Sequence, residues 1–262
     1  MTASVPSWYG VVASVLLVLM TVAVVVREQL GLGREVVVAA VRAIVQLVAV
    51  GALLGVLFRT AGLPGSLLWL VAMVLVGGRV CARRGAGLPR AQLVAVASLA
   101  SGVVATLGLL LVARVVKTEP RVVVPVGGMV VSAATRGTSV VMLRLREEAG
   151  SARRTVEARL ALGLPAAQAF APHRRQALRT ALVTDIDAVR TVGLISLPGA
   201  MTGLLLAGVP PLTAIRYQVV VMYMLLGAVA VSGAVASRLV TRVLFDEAQR
   251  LVPVTEPARR AA

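Results

Sequence analysis

Seven stretches of this chain are apolar over about the length a helix needs to cross hydrocarbon, and arginines crowd the gaps between them. The stretches run over 8–26, 34–58, 63–80, 91–113, 121–143, 182–208 and 213–240, mostly close to the roughly 20 residues that span a bilayer core. Charged residues make up only 15% of the 262, against about a quarter in a soluble domain. The mean hydropathy of +0.92 points the same way. The pattern predicts an all-α polytopic membrane protein with about seven transmembrane helices, built as one transmembrane domain over residues 1–262.

A net charge of +16 raises the question of nucleic acid, but the chain has only three Tyr, three Phe and two Trp. No aromatic and basic platform for bases can be assembled from them, so nucleic acid is not an expected partner. The arginines lie instead at span ends. Arg79, Arg83, Arg84 and Arg90 sit between spans three and four. Arg144, Arg146, Arg153, Arg154, Arg159, Arg174, Arg175 and Arg179 fill the gap before span six, and Arg238, Arg242, Arg250, Arg259 and Arg260 follow span seven. The turns around Arg59–Gly62 and Gly208–Thr213 are nearly uncharged. Basic loops stay cytoplasmic, so the N-terminus is expected outside and the C-terminus inside, with a basic tail over 246–262. The 114–121 turn, with Arg114, Lys117 and Arg121 against Glu119, departs modestly from that alternation. Met1–Met20 has neither a charged leader nor an Ala-x-Ala site, which reads as a retained first span. Cys81 stands alone and so does His173, which leaves no internal disulfide and no His-rich metal cluster to assign.

The 144–181 segment is too polar to span, yet it is patterned. Val156, Leu160, Gly163, Leu164, Ala167, Phe170 and Ala171 recur at helical spacing, and after Pro172 a second stripe of Leu178, Leu182, Ile186 and Val189 leads into span six. Two readings stay open: an amphipathic helix on the membrane surface, or a docking element for a cytoplasmic partner.

No catalytic group of Ser, His and Asp is supported. No P-loop exists either, because the only lysine, Lys117, follows valines; ATP-driven work requires a second polypeptide. Ionisable and polar groups at membrane depth are the functional candidates. Arg42 and Gln46 share one face of span two, with Gly51 and Gly55 extending a small-xxx-small pattern; the alternative is a buried Arg with a structural partner. Asp185 and Asp187 project to opposite sides of a helix, and Asp187 is spaced to pair with Arg190. Met129, Met201, Met222 and Met224 are soft donors in principle and packing groups by default. The stretch "VGLISLPGAMTGLLLAGVPPLTAIRYQ", Val192 to Gln218, is apolar but full of helix breakers. A Pro198-Gly199 step at membrane depth frees backbone groups that only protein or a wet cavity can satisfy, which makes Pro198, Gly199, Met201, Thr202 and Gly203 candidates for a pathway. A plain structural kink is the alternative.

The block from Val192 to Leu225 resembles the LPG-x-MTG…AG…A-x-RYQ pattern of the FetB-like permeases, ABC-transporter membrane subunits linked to iron export, with plant relatives in aluminium tolerance. "VRAIVQLVAVGALLGVLF", from Val41, is similar to their Arg-x-x-x-Gln-Leu segment, and "VPVGGMVVS", from Val124, to their Pro-x-x-Gly-Met segment. The likeness runs over most of 34–245. It implies a pathway that includes Met129 and Gln218 beside the residues above. Glu157-Ala158 followed by Gly163 resembles the EAA-x-x-x-Gly coupling motif, with Arg159 at the third position, and implies an ABC ATPase docked on 144–181. The resemblance further implies a homodimer of permeases in a bacterial inner membrane, metal ion export, ATP held by the partner subunit, and no cofactor, catalytic or metal site in this chain itself. Two departures remove intramembrane polar groups: Ser132-Ala133 where the family has Asn, and Leu204 where it has Gln. A self-sufficient secondary transporter and a membrane-embedded enzyme are the competing classes; no paired intramembrane carboxylates support the latter.

The orientation is directly testable. A cysteine placed at Thr60 or Pro211 should react with an impermeant thiol reagent on intact cells, and one placed at Arg154 should not. Labelling at 154 from outside reverses the topology.

Overall fold

A computed structural model describes residues 8–60, 62–116 and 118–253; the outer end of the basic tail, with Arg259 and Arg260, lies outside the described residues, as do Met1–Ser7 and Lys117. The chain forms α1 (Trp8–Arg27), α2 (Gly33–Thr60), α3 (Gly62–Arg84), α4 (Ala91–Val112), α5 (Pro120–Ser151), α6 (Arg153–Ala161), α7 (Ala166–Ala169), α8 (Ala171–Thr191), α9 (Gly199–Leu206) and α10 (Pro211–Leu244). The long helices start where the sequence supplies a proline in the first turn, at Pro120 and Pro211; there the missing N–H costs nothing and the ring fixes a helical φ. Five helices, α2 to α5 and α10, are long and apolar enough to cross a membrane, and α1 carries a shorter apolar run over Val12–Arg27. The fold is all-α, and only isolated bridges occur among the described residues.

The centre is a bundle of α3, α4, α5 and α10, with α8 against α5 and α10. Its core consists of small and branched residues such as Val94, Leu99, Val130, Ala134, Ala228 and Ala236, all almost fully buried. With little hydrophobic gain between helices in lipid, close backbone approach does the packing. Two buried hydroxyls are spent inside their own helices: Ser98 donates to the Val94 carbonyl at 2.7 Å and Ser232 to the Ala228 carbonyl at 2.7 Å. Outward residues such as Leu68, Val71, Val104 and Leu109 stay exposed and apolar, as a lipid-facing surface requires. The α1–α2 hairpin lies at the periphery. Helix α2 packs on α1 and lightly on α3, and none of its most apolar window is buried.

At one end, α5 and α10 overhang the bundle. At 1.5 Å per residue their 32 and 34 residues extend about 48 and 51 Å, well past the roughly 30 Å hydrocarbon core. Helices α6 and α7 and the residues after α10 gather there.

The sixth span, 182–208, is interrupted as its helix breakers suggest, but the break begins earlier than Pro198: α8 stops at Thr191, Val192–Pro198 is non-helical, and α9 holds only eight residues. One expectation changes. The 144–181 segment is not one amphipathic helix followed by another. Its first eight residues belong to α5, and Gly163, at φ +85°, turns the chain between α6 and α7. The Gly163 N–H donates to the Leu160 carbonyl at 2.9 Å and the Leu164 N–H to the Arg159 carbonyl at 3.2 Å. That pair of bonds is a Schellman closure, which needs a left-handed residue.

Close approach of α4 and α10 depends on Gly102. A Cβ there would stand 2.9 Å from Ser232 Cβ and 3.1 Å from the Ala228 carbonyl oxygen. Gly102→Ala should destabilise the bundle by roughly 1–3 kcal/mol, the usual cost of overpacking. Gly108→Ala on the same helix meets open space and should hold or raise the Tm. Equal thermal denaturation of the two purified variants would remove this seam from the account.

Candidate functional site

The break between α8 and α9 is a built turn. Gly193 takes φ +82°, its N–H donates to the Ser196 carbonyl at 2.9 Å, and the Ile195 N–H donates to the Thr191 carbonyl at 3.0 Å. Leu197 precedes proline, which disfavours the helical region, and Pro198 is the extended N-cap of α9. The Pro198 carbonyl then accepts from the Thr202 N–H at 3.0 Å and from the Thr202 hydroxyl at 3.2 Å.

Between this break and α10 lies a cavity of about 330 Å³, lined among others by Gly193, Pro198, Met201, Gln218 and Met222. Gln218 is only 7% exposed, and its Oε1 has no hydrogen-bond partner among the described residues. A buried amide oxygen left unpaired costs about 1–3 kcal/mol. Two thioethers and one open amide converge with backbone freed from the helix. No ionisable side chain lines the cavity. Such a neutral, partly polar chamber can take a solute stripped of water and let it go again.

A second cavity, about 320 Å³, opens between α3, α5 and α8 and is lined by Arg84, Arg136, Ser139, Thr184 and Asp185 among others. Arg136 Nη2 stands 3.7 Å from Asp185 Oδ1, and its Nη1 donates to Ser132 Oγ at 3.2 Å. Further along the same seam His173 Nδ1 meets Glu148 Oε2 at 2.6 Å, and Phe170 stacks obliquely on the His173 ring at 5.4 Å. Two polar contacts therefore tie α8 to α5. Sequence reading did not single out Arg136, although an arginine inside the apolar run 121–143 was the available signal.

At the overhanging end a third cavity, about 720 Å³, is lined by Glu157, Leu160, Gly163 and Leu164 together with Glu247 and Leu251. Glu157 accepts from Arg153 Nε at 2.7 Å. Ala158 is exposed on α6. Arg159 departs from the expected alanine because its Nη1 donates to the Ala169 carbonyl at 3.0 Å, closing the end of α7. Val156 and Phe170 of the apolar stripe are fully buried in the protein's own core, whereas Ala167 is exposed.

The structure brings Pro198, Met201 and Gln218 together and sets other candidates apart. Arg42 and Gln46 are exposed on α2, away from the break and without partners among the described residues. Met129 is half-buried against the bundle core. Gly199 and Gly203 meet open space, and the Thr202 hydroxyl is occupied by the Pro198 carbonyl. Asp187 pairs with Arg190 at 3.4 Å, as its spacing predicts.

A helical bundle with an apolar outer face, five membrane-length helices and an overhanging polar end defines a polytopic membrane protein. The chain belongs to the family described as "Uncharacterised protein family (UPF0014)", whose model matches residues 8–245. It is 41% identical over 240 residues to "UPF0014 membrane protein STAR2" of Oryza sativa subsp. japonica, covering 92% of this chain and 84% of that one. It is 35% identical to "Protein ALUMINUM SENSITIVE 3" of Arabidopsis thaliana, covering 91% and 88%. To the "Probable iron export permease protein FetB" of Escherichia coli it is 30% identical, covering 90% and 92%. The FetB-like resemblance read from the Val192–Leu225 block is borne out. No solved structure matches the chain.

The unpaired amide makes a stability prediction. Gln218→Leu keeps the volume and removes the orphaned oxygen, so the purified protein should gain about 1 kcal/mol or hold its Tm. A clear loss of stability would mean that the amide has a partner in the folded protein.

Proposed function

We propose that this protein is the permease subunit of an ABC transporter, working as a homodimer with two separate ATPase subunits docked on the 144–181 segment. The cargo is a metal ion moved outward, with iron suggested by the name of the Escherichia coli relative. The N-terminus lies outside and the C-terminus in the cytoplasm of a bacterial inner membrane. The supporting observation is α8. This one uninterrupted helix, Ala171–Thr191, starts at the segment that carries Glu157, Ala158 and Gly163 and ends at the broken turn lining the Gln218 cavity.

On this reading ATP binding in the partner displaces α6 and α7, and α8 carries the displacement to the break. The Arg136–Asp185 and Glu148–His173 contacts hold α8 to α5 in one arrangement and yield in the other. Two-state elements of this kind can transmit work between distant sites. At the cavity, Gln218 and the freed backbone replace part of the cargo's hydration, while Met201 and Met222 supply a polarisable wall. Among the described residues no group of three or more His, Cys, Asp or Glu lies together. The cargo therefore meets neutral donors that bind weakly enough to release it.

Reconstituted vesicles supply the test. Metal flux should require both the permease and a P-loop ATPase of the same host, and Gln218→Leu should reduce that flux at least tenfold without unfolding the protein. Flux that persists without any ATPase identifies a secondary transporter instead. Gly163→Asp, placing a side chain at φ +85°, strains the α6 closure by about 1–2 kcal/mol. It should make ATP hydrolysis by the complex independent of cargo, and retained stimulation would separate α6 from coupling.

A further inference from the structure

The basic tail after α10 does not simply trail away. Its first residues fold back as a closed hairpin. Phe245 and Leu251 form an antiparallel bridge, the Val252 N–H donates to the Leu244 carbonyl at 2.9 Å, and the Asp246 N–H donates to the Arg250 carbonyl at 3.1 Å. Asp246 closes the turn with its side chain, accepting from the Arg250 N–H at 2.8 Å and from Arg250 Nε at 2.8 Å. The backbone N–H of Arg250, first among the causes, holds the Asp246 carboxyl below the usual carboxylate range. Its contribution to the hairpin is thus complete above the ordinary aspartate pKa of about 4 and fades only in stronger acid.

The hairpin grips the segment between α5 and α8. Gln249, in the left-handed region at φ +57°, is an uncommon conformation for a residue other than glycine. From there its Oε1 accepts the Ala166 N–H at 2.9 Å, capping the first turn of α7. Phe245 meets the fully buried Phe170 edge-on at 6.0 Å, and Leu251 is 5% exposed in the same cluster as Val156 and Ala169. What remains open between hairpin and α6 is the 720 Å³ groove. Its floor is Leu160, Leu164 and Leu251. On its rim the Arg153–Glu157 and Arg250–Asp246 charges are mutually paired, whereas Glu247 has no ion-pair partner among the described residues and is exposed.

We infer that the Phe245–Val252 hairpin is the second wall of the ATPase-docking site, holding α6 and α7 in place and presenting Glu247 to the partner. The inference rests on the ABC-permease reading. The occupant is the ATPase subunit, through a surface that offers an apolar side chain to the leucine floor and a basic side chain to Glu247. A groove of mixed polarity, with leucines at its base and charges around it, takes that type of anchor.

The test uses full-length protein reconstituted with the ATPase that supports flux, reading both ATPase affinity and amide hydrogen exchange. Glu247→Arg touches none of the hairpin bonds. It should weaken affinity at least tenfold and leave exchange over 153–170 unchanged. Asp246→Ala opens the hairpin, so it should speed exchange at Ala166 and its neighbours and weaken affinity as well. If both variants bind the ATPase as the wild type does, the hairpin is no part of the site and this inference falls while the permease reading stands. Faster exchange in Asp246→Ala with unchanged affinity overturns it equally. Failure of the wild-type protein to bind or respond to any host ATPase overturns the permease reading and the inference together.

Discussion

Inside hydrocarbon a backbone amide has no water to turn to, and that constraint organises this molecule. It forces the crossings into helices and makes each interruption costly. The interruption at Val192–Pro198 persists because part of its backbone is satisfied by the turn that Gly193 and Ser196 close and the rest borders a cavity. Gln218 on α10 shares the same position, a polar group held where lipid cannot reach it and where no protein group completes it. The break and the unpaired amide are therefore one feature seen from two helices.

Helix α8 connects this feature to the polar end. It is more polar than the five long crossings, and polar contacts to α5 add to its packing on α5 and α10. Arg136 and Glu148 of α5 face Asp185 and His173 of α8. Of the two, the 2.6 Å His173–Glu148 contact is a hydrogen bond, which depends on geometry more steeply than apolar packing does.

Much of the architecture was legible because membrane length and apolar composition are one-dimensional signals. Spans at 91–113 and 213–240 appear as α4 and α10 with ends moved by a few residues. The helix breakers around Pro198 were visible, but the break begins earlier, at Val192, because a turn closed by Gly193 cannot be seen from proline alone. Arg136 went unread because its partner, Asp185, lies on a different helix, and periodicity carries no information across helices. Asp246 and Arg250 have the spacing of a helical ion pair. Only the backbone hydrogen bonds of the folded chain reveal that the pair closes a hairpin. Arg42 and Gln46 do share one face of α2, and that face is exposed rather than packed on the bundle.

The grip of Gln249 on Ala166 sets an order in time. Residues 153–170 leave the ribosome well before α10 is made, and for that interval Phe170 and the first amide of α7 lack their final neighbours. The segment is completed only when residue 251 has emerged and the last crossing is in the membrane. A chain cut short anywhere in its final helix has most of its crossings and yet lacks a finished polar end.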